Sequence, residues 1–162
     1  MNRGRALALI PVTALSLFAS GVLLAQQESS FVGTWKLNVP KSKFTGSQPP
    51  KSETRTEVAQ GDGCKVTYEG IAADGSPISW GYTSNLDGKD APISGRRPNG
   101  ADTLAITRVD ANTRTAVEKK AGKTLFTVRG VVSKDGKVLT QTTEGVNGEG
   151  VPISIMMVWD KQ

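Results

Sequence analysis

From about residue 31 onward, apolar and polar residues alternate with a period of two, in short runs broken by Gly, Pro, Asp and Asn. That period belongs to β-strands, whose successive side chains point to opposite faces. A helical period is hardly present. Turn residues recur about every 8–12 positions, a rhythm that predicts a sandwich or a barrel. Strands are expected at 31–37, 53–59, 64–71, 78–84, 103–109, 114–119, 125–132, 138–144 and 153–159, with a short extra piece at 91–94. The stretch 38–51 carries Pro40, Gly46, Pro49 and Pro50 and is expected to be a long loop, with one helical turn at 41–44. The other links are turn chemistry: Gly61-Asp62-Gly63, Asp74-Gly75, Asp87-Gly88, Asp110-Ala111-Asn112, Ala121-Gly122 and Asp135-Gly136. Short links of this kind join antiparallel neighbours. The expected fold is therefore all-β, an antiparallel up-and-down meander barrel of about 8–10 strands or a closely related sandwich.

The alternation also assigns faces. Ile78, Trp80 and Tyr82 share one face of their strand, and Phe126, Val128, Gly130 and Val132 share one of theirs. In 153–159 both faces are apolar. Trp35, Val66, Leu104, Val117, Leu139 and Trp159 are expected in the core, where each large apolar side chain contributes about 1.5–3 kcal/mol. One internal echo stands out. Residues 69–79 align without gaps on 144–154: both run Glu-Gly, a polar turn containing Gly, then Pro-Ile-Ser. Proline fits the first position of a strand, which can dispense with its N–H.

Composition narrows the function classes. Residues 1–25 read as a secretory signal: Arg3 and Arg5 precede an apolar run, and Ala25 is a plausible last residue before cleavage. Residues 26–162 then form one domain, exported to a periplasm or secreted, with no stable membrane insertion after cleavage. Without Arg3 and Arg5, 18 of the 20 basic residues remain against 15 acidic ones, a net charge of +3. That charge, scattered along the chain, does not point to nucleic acid. The pair Arg96-Arg97 before Pro98-Asn99-Gly100 reads as a solvated loop tip. The lone cysteine, Cys64, forbids an internal disulfide and is expected to be buried and inert. With no histidine, the usual general base near neutral pH is missing, and no catalytic residue, metal site or cofactor is read in the sequence.

Phe31-Val32-Gly33-Thr34-Trp35-Lys36-Leu37 resembles the opening strand of the calycin group, the lipocalins and fatty-acid-binding proteins, which begin their barrel with Gly-x-Trp. The stretch 135–141 through 158–161 also looks like their last hairpin. The mature length is similar to that of small exported bacterial lipocalin-like proteins. The resemblance implies a barrel with an internal pocket, closed by Gly33 and Trp35. It departs from the fatty-acid-binding proteins in two places. Their two helices have no room in the Pro-rich segment 38–51, and their Arg-x-Tyr carboxylate clamp is replaced by Met157-Val158-Trp159.

Arg55, Arg108, Arg114 and Arg129 fall in expected strands, where an inward guanidinium could hold an anionic group. Arg129 is favoured, because it alternates with Leu125, Thr127 and Val131 in a strand with two apolar faces, and Arg108 is kept beside it. Trp80, Tyr68 and Met157 are candidate pocket-wall residues. The expected function is non-enzymatic binding of a small apolar or amphipathic ligand. The alternative is an envelope interaction or inhibitor protein whose loops 38–51 and 96–100 contact a protein partner.

Overall fold

The computed structural model describes residues 29–147 and 150–162. The expected signal segment lies outside them. Eleven strands follow in sequence: β1 (Gly33–Leu37), β2 (Lys43–Thr45), β3 (Ser52–Gln60), β4 (Gly63–Ile71), β5 (Pro77–Ser84), β6 (Asp87–Arg96), β7 (Thr103–Arg108), β8 (Thr113–Lys120), β9 (Lys123–Val132), β10 (Val138–Val146) and β11 (Pro152–Lys161). From β3 to β11 each strand pairs antiparallel with the next, and β1 pairs with both β3 and β11. Ten strands therefore close an up-and-down barrel, which settles barrel against sandwich. Among the described residues no helix is long and apolar enough to cross a membrane.

Closure depends on β1. Trp35 stands opposite Arg55 of β3 and opposite Lys161 of β11. Its indole is fully buried (0% exposed), and Nε1 donates to the Phe31 carbonyl at 2.9 Å. Leu37 stands opposite Trp159, which is also fully buried.

The helical turn expected at 41–44 forms instead as a single 3-10 turn over Val39–Lys41, and a short strand, β2, follows it. β1 and β2 both lie along β11, one strand interrupted by the turn. The interruption would orphan the backbone of Val158. Instead its carbonyl accepts from Asn38 N–H at 2.8 Å, and its N–H donates to Ser42 Oγ at 3.0 Å. Asn38 Nδ2 donates to Asp160 at 2.6 Å, and Asn38 Oδ1 accepts from the Lys41 N–H. Proline in the turn and these two side chains explain why the chain leaves the ladder and returns to it. β2 does not pair with β3, so the link 46–51 passes over that end of the barrel.

A second difference concerns β6. The short piece expected at 91–94 is a ten-residue strand. Asp87-Gly88 lies inside it, with a register shift between Asp87 and Asp90, and the reversal falls earlier, at Asn85-Leu86. Leu86 takes φ 59°, held by its N–H donating to Ser84 Oγ at 3.1 Å.

The echoed segments form two equivalent hairpins, β4–β5 and β10–β11. Gly75 N–H donates to the Ala72 carbonyl and Gly150 N–H to the Asn147 carbonyl, both at 3.0 Å. The glycine of each Glu-Gly is required by close approach. A Cβ on Gly70 would run into the Ser52 carbonyl, and one on Gly145 into the Leu125 carbonyl.

Most expected core positions are buried. Val117 is an exception. β8 turns Arg114, Ala116 and Glu118 inward, which puts Val117 on the outer face opposite Thr127. β3 does the same: Glu53, Arg55 and Glu57 are buried, while Val58 is 50% exposed.

Candidate functional site

The inward charges form two groups at opposite ends of the barrel interior. At the floor, below the N-terminal segment, Glu57 of β3 is held by Arg55 and by Arg114 of β8, the latter at 2.9 Å. Arg55 Nε donates to the Tyr68 hydroxyl at 3.1 Å, and Arg114 Nη2 donates to Ser29 Oγ at 2.8 Å. The Arg114 guanidinium lies 4.1 Å from the centre of the Phe31 ring, which itself packs against Gly130. Cys64 is buried beside this group, with Arg114 Nη1 3.8 Å from Sγ. Burial, reinforced by the Glu57 charge, pushes the thiol pKa up to about 11, so Cys64 stays protonated at neutral pH.

Above the floor lies a cavity of about 350 Å³. Its wall is mainly apolar and aromatic: Tyr68, Ile78, Trp80, Leu104, Phe126 and Met157 belong to five different strands. Tyr68 stacks on Trp80 with ring centres 3.9 Å apart and meets Trp159 edge-on at 6.0 Å. Gly46, Ser47, Gln48 and Pro50 from the β2–β3 link, and Arg97, Pro98 and Asn99 from the β6–β7 loop, complete the wall at the rim. A smaller void of about 40 Å³ continues downward, sharing Tyr82, Ile106, Ala116, Val128 and Gln141 with the main cavity. It reaches Arg55, whose Nη1 has no hydrogen-bond partner, as is also true of Gln141 Oε1.

Among the described residues, three charged residues line the main cavity: Glu53, Arg97 and Glu118. Arg97 grips Glu118 through Nε at 2.9 Å and Nη2 at 2.5 Å, and Asn99 Nδ2 adds a third bond at 2.6 Å. The same guanidinium lies 3.8 Å from the centre of the Trp80 ring. Such a forked, stacked arginine is held by geometry as well as charge. Glu53 is 9% exposed, with Arg97 and Trp80 as its polar neighbours. Burial raises its pKa to about 7, although the Arg97 charge and the nearby Trp80 indole N–H pull it down. Trp80 Nε1 is itself outside hydrogen-bond geometry with any partner.

Tyr68, Trp80 and Met157, singled out from the sequence, stand on the cavity wall. Arg129 and Arg108 do not. Arg129 is exposed on the outer face; Arg108, in phase with buried Leu104 and Ile106 and opposite Arg114, is exposed at the end of β7 and donates to the Asp62 carbonyl. Arg129 points outward because β9 keeps Phe126, Val128, Gly130 and Val132 in phase with the interior. The buried arginines of the strands are Arg55 and Arg114. Arg97, read as a solvated loop tip, is instead drawn onto Trp80 and Glu118. Gly33 pairs with Glu57, next to Trp35 in the strand that closes the barrel. Glu53 and Glu118 carry no sequence motif that marks them as site residues; the structure alone brings them to the cavity. Among the described residues, no three His, Cys, Asp or Glu side chains are grouped to hold a metal ion.

No protein-family model and no curated protein matches the chain. Among solved structures, the chain is similar to zebrafish ileal bile acid-binding protein, determined in complex with cholic acid. The two are 12% identical, the match covers 83% of this chain and 100% of that one, and the TM-score is 0.49. The closed ten-strand antiparallel meander, opened by Gly33-Thr34-Trp35, makes the fold of this chain calycin-like.

Proposed function

We propose that this protein binds a small, largely apolar molecule inside its barrel. The observation that supports the reading is the cavity itself. Its volume of about 350 Å³ falls in the range of ligand pockets, about 300–1,000 Å³. Its wall is apolar and aromatic with a few convergent polar groups, the usual make-up of a small-molecule site. The two loops that a protein partner would use both turn residues toward the cavity, which ties them to the ligand. No catalytic role is assigned, since the thiol of Cys64 is buried away from the cavity wall.

The reading includes export, supported by the basic and then apolar character of residues 1–25. N-terminal sequencing of the protein from its native cells checks it, with cleavage after Ala25 expected.

Binding is tested with Nile red, a neutral dye whose emission rises in apolar surroundings. The wild-type protein is expected to enhance and blue-shift that emission saturably. Ala116 lines both cavities, so Ala116→Phe fills the space and is expected to abolish the signal. Arg129→Ala, on the outer face, is expected to leave it unchanged. Equal signals from wild type and Ala116→Phe would place the dye elsewhere and overturn the reading.

A further inference from the structure

We infer that the molecule held in the barrel carries a basic amine, and that Glu53 receives it. This rests on the binding function proposed above and specifies the chemical class of the ligand.

The charge inventory of the cavity leads there. Among the described residues its charged lining residues are Glu53, Glu118 and Arg97, two acids against one base. Arg97 is committed: its two hydrogen bonds go to Glu118, and its flat face lies over Trp80. Asn99 supplies a further donor to the same carboxylate. Glu118 is thereby neutralised and satisfied. The excess negative charge falls on Glu53, which is only 9% exposed and has the Trp80 indole N–H and the engaged Arg97 as its polar neighbours, with no cation of its own. A buried carboxylate without a cation of its own is costly, and an ammonium placed against it recovers that cost. The floor arginines do not cancel this asymmetry for a ligand, because neither Arg55 nor Arg114 lines the main cavity. An anionic ligand of the same length would meet Glu53 and Glu118 with only one arginine, already engaged.

The mouth position gives the ligand a direction. Its amine rests at the Glu53 level, and its apolar body points down between Ile106, Phe126, Val128 and Met157 toward Tyr82 and Gln141. The titratable and charged groups that share the cavity with Glu53 are Arg97, Glu118, Tyr68 and Tyr82. Burial holds the Tyr82 phenol well above its ordinary pKa, so it stays neutral.

Proton linkage follows. With a pKa of about 7, the Glu53 carboxyl is mostly protonated at pH 6 and mostly ionised at pH 8. An ammonium ligand binds the ionised form and displaces the carboxyl proton to solvent. Its affinity therefore rises about tenfold between those pH values, while that of a neutral ligand does not.

The test is displacement of Nile red from the intact protein by three chain-matched probes: nonylamine, nonan-1-ol and nonanoic acid. At pH 8 the expected order of affinity is amine, alcohol, acid, with the advantage of the amine over the alcohol falling about tenfold at pH 6. Glu53→Gln, which keeps the shape and removes the charge, is expected to abolish the amine preference and its pH dependence while still binding Nile red. Because the probe series is run on unaltered protein, it decides the matter even if that variant fails to fold. Nile red and nonan-1-ol binding with no preference for the amine, or with the acid bound best, overturns the assignment of Glu53 and leaves the cavity reading standing. Failure of Nile red and all three probes to bind overturns the cavity reading, and this inference with it.

Discussion

Arg114 reaches across the barrel floor to Glu57: its Nη1 lies 2.9 Å from Oε1, although the two residues are 57 positions apart. Arg55, from the same face of β3, holds the other carboxylate oxygen. One buried anion thus balances two buried cations, with Ser29 and Tyr68 taking further N–H groups. Glu57→Ala leaves two guanidiniums uncompensated in the interior, and breaking a buried pair in this way costs about 3–5 kcal/mol. Urea denaturation of wild type and variant checks the value. A shift below about 1 kcal/mol would mean that the floor relaxes to admit water.

Closure of the barrel gives a second expectation. Trp35 is fully buried, bonded to the Phe31 carbonyl and placed between β3 and β11. Trp35→Ala is expected to cost about 3–5 kcal/mol through lost burial and the cavity left behind. An unchanged denaturation midpoint would contradict its place in the core.

Ser42 repairs the break between β1 and β2 by accepting the Val158 N–H. Ser42→Ala leaves that donor without its partner, at a cost of about 1–3 kcal/mol. Hydrogen exchange resolves the effect locally: the Val158 amide should exchange faster in the variant, with amides of β4 and β5 little changed.

Glu53 makes stability depend on pH. Its pKa is about 7 in the folded protein against 4.5 for an ordinary glutamate. Between those values the folded state holds the proton more tightly than the unfolded chain. Stability from this group is therefore present below about pH 4.5 and falls as pH rises toward 7. The loss is roughly 3 kcal/mol at most. Glu53→Gln should be more stable than wild type at pH 8, with the difference shrinking as pH falls from 7 toward 4.5. Thermal melts across that range measure it, and equal slopes for the two proteins would contradict the raised pKa.

Most of the strands were legible in the sequence because local chemistry sets them. Alternation defines the faces, and Asp74-Gly75, Ala121-Gly122 and Asp135-Gly136 set three of the reversals. β2 was not legible, since its three residues are organised by pairing with β11, more than a hundred positions away. The interior charges were not legible for a different reason. Hydrophobic alternation assigns Val58 inward and its charged neighbours outward, and the barrel does the reverse. A usable signal was present nonetheless. Glu53, Arg55 and Glu57 alternate in sign on one face of a strand, and a set of that kind can neutralise itself when buried. Arg129 was favoured over Arg55 and Arg114 because its strand is apolar on both faces. Those two had acidic partners within reach, and such partners are what allow an arginine to be buried.

The central claim is that the barrel interior holds a small apolar molecule, and native mass spectrometry of the intact protein tests it most directly. Equilibrated with excess nonylamine, wild type should carry a single bound amine that is lost on denaturation, and Ala116→Phe should remain at its apo mass. An apo mass for wild type, or the same adduct on both proteins, would contradict the claim.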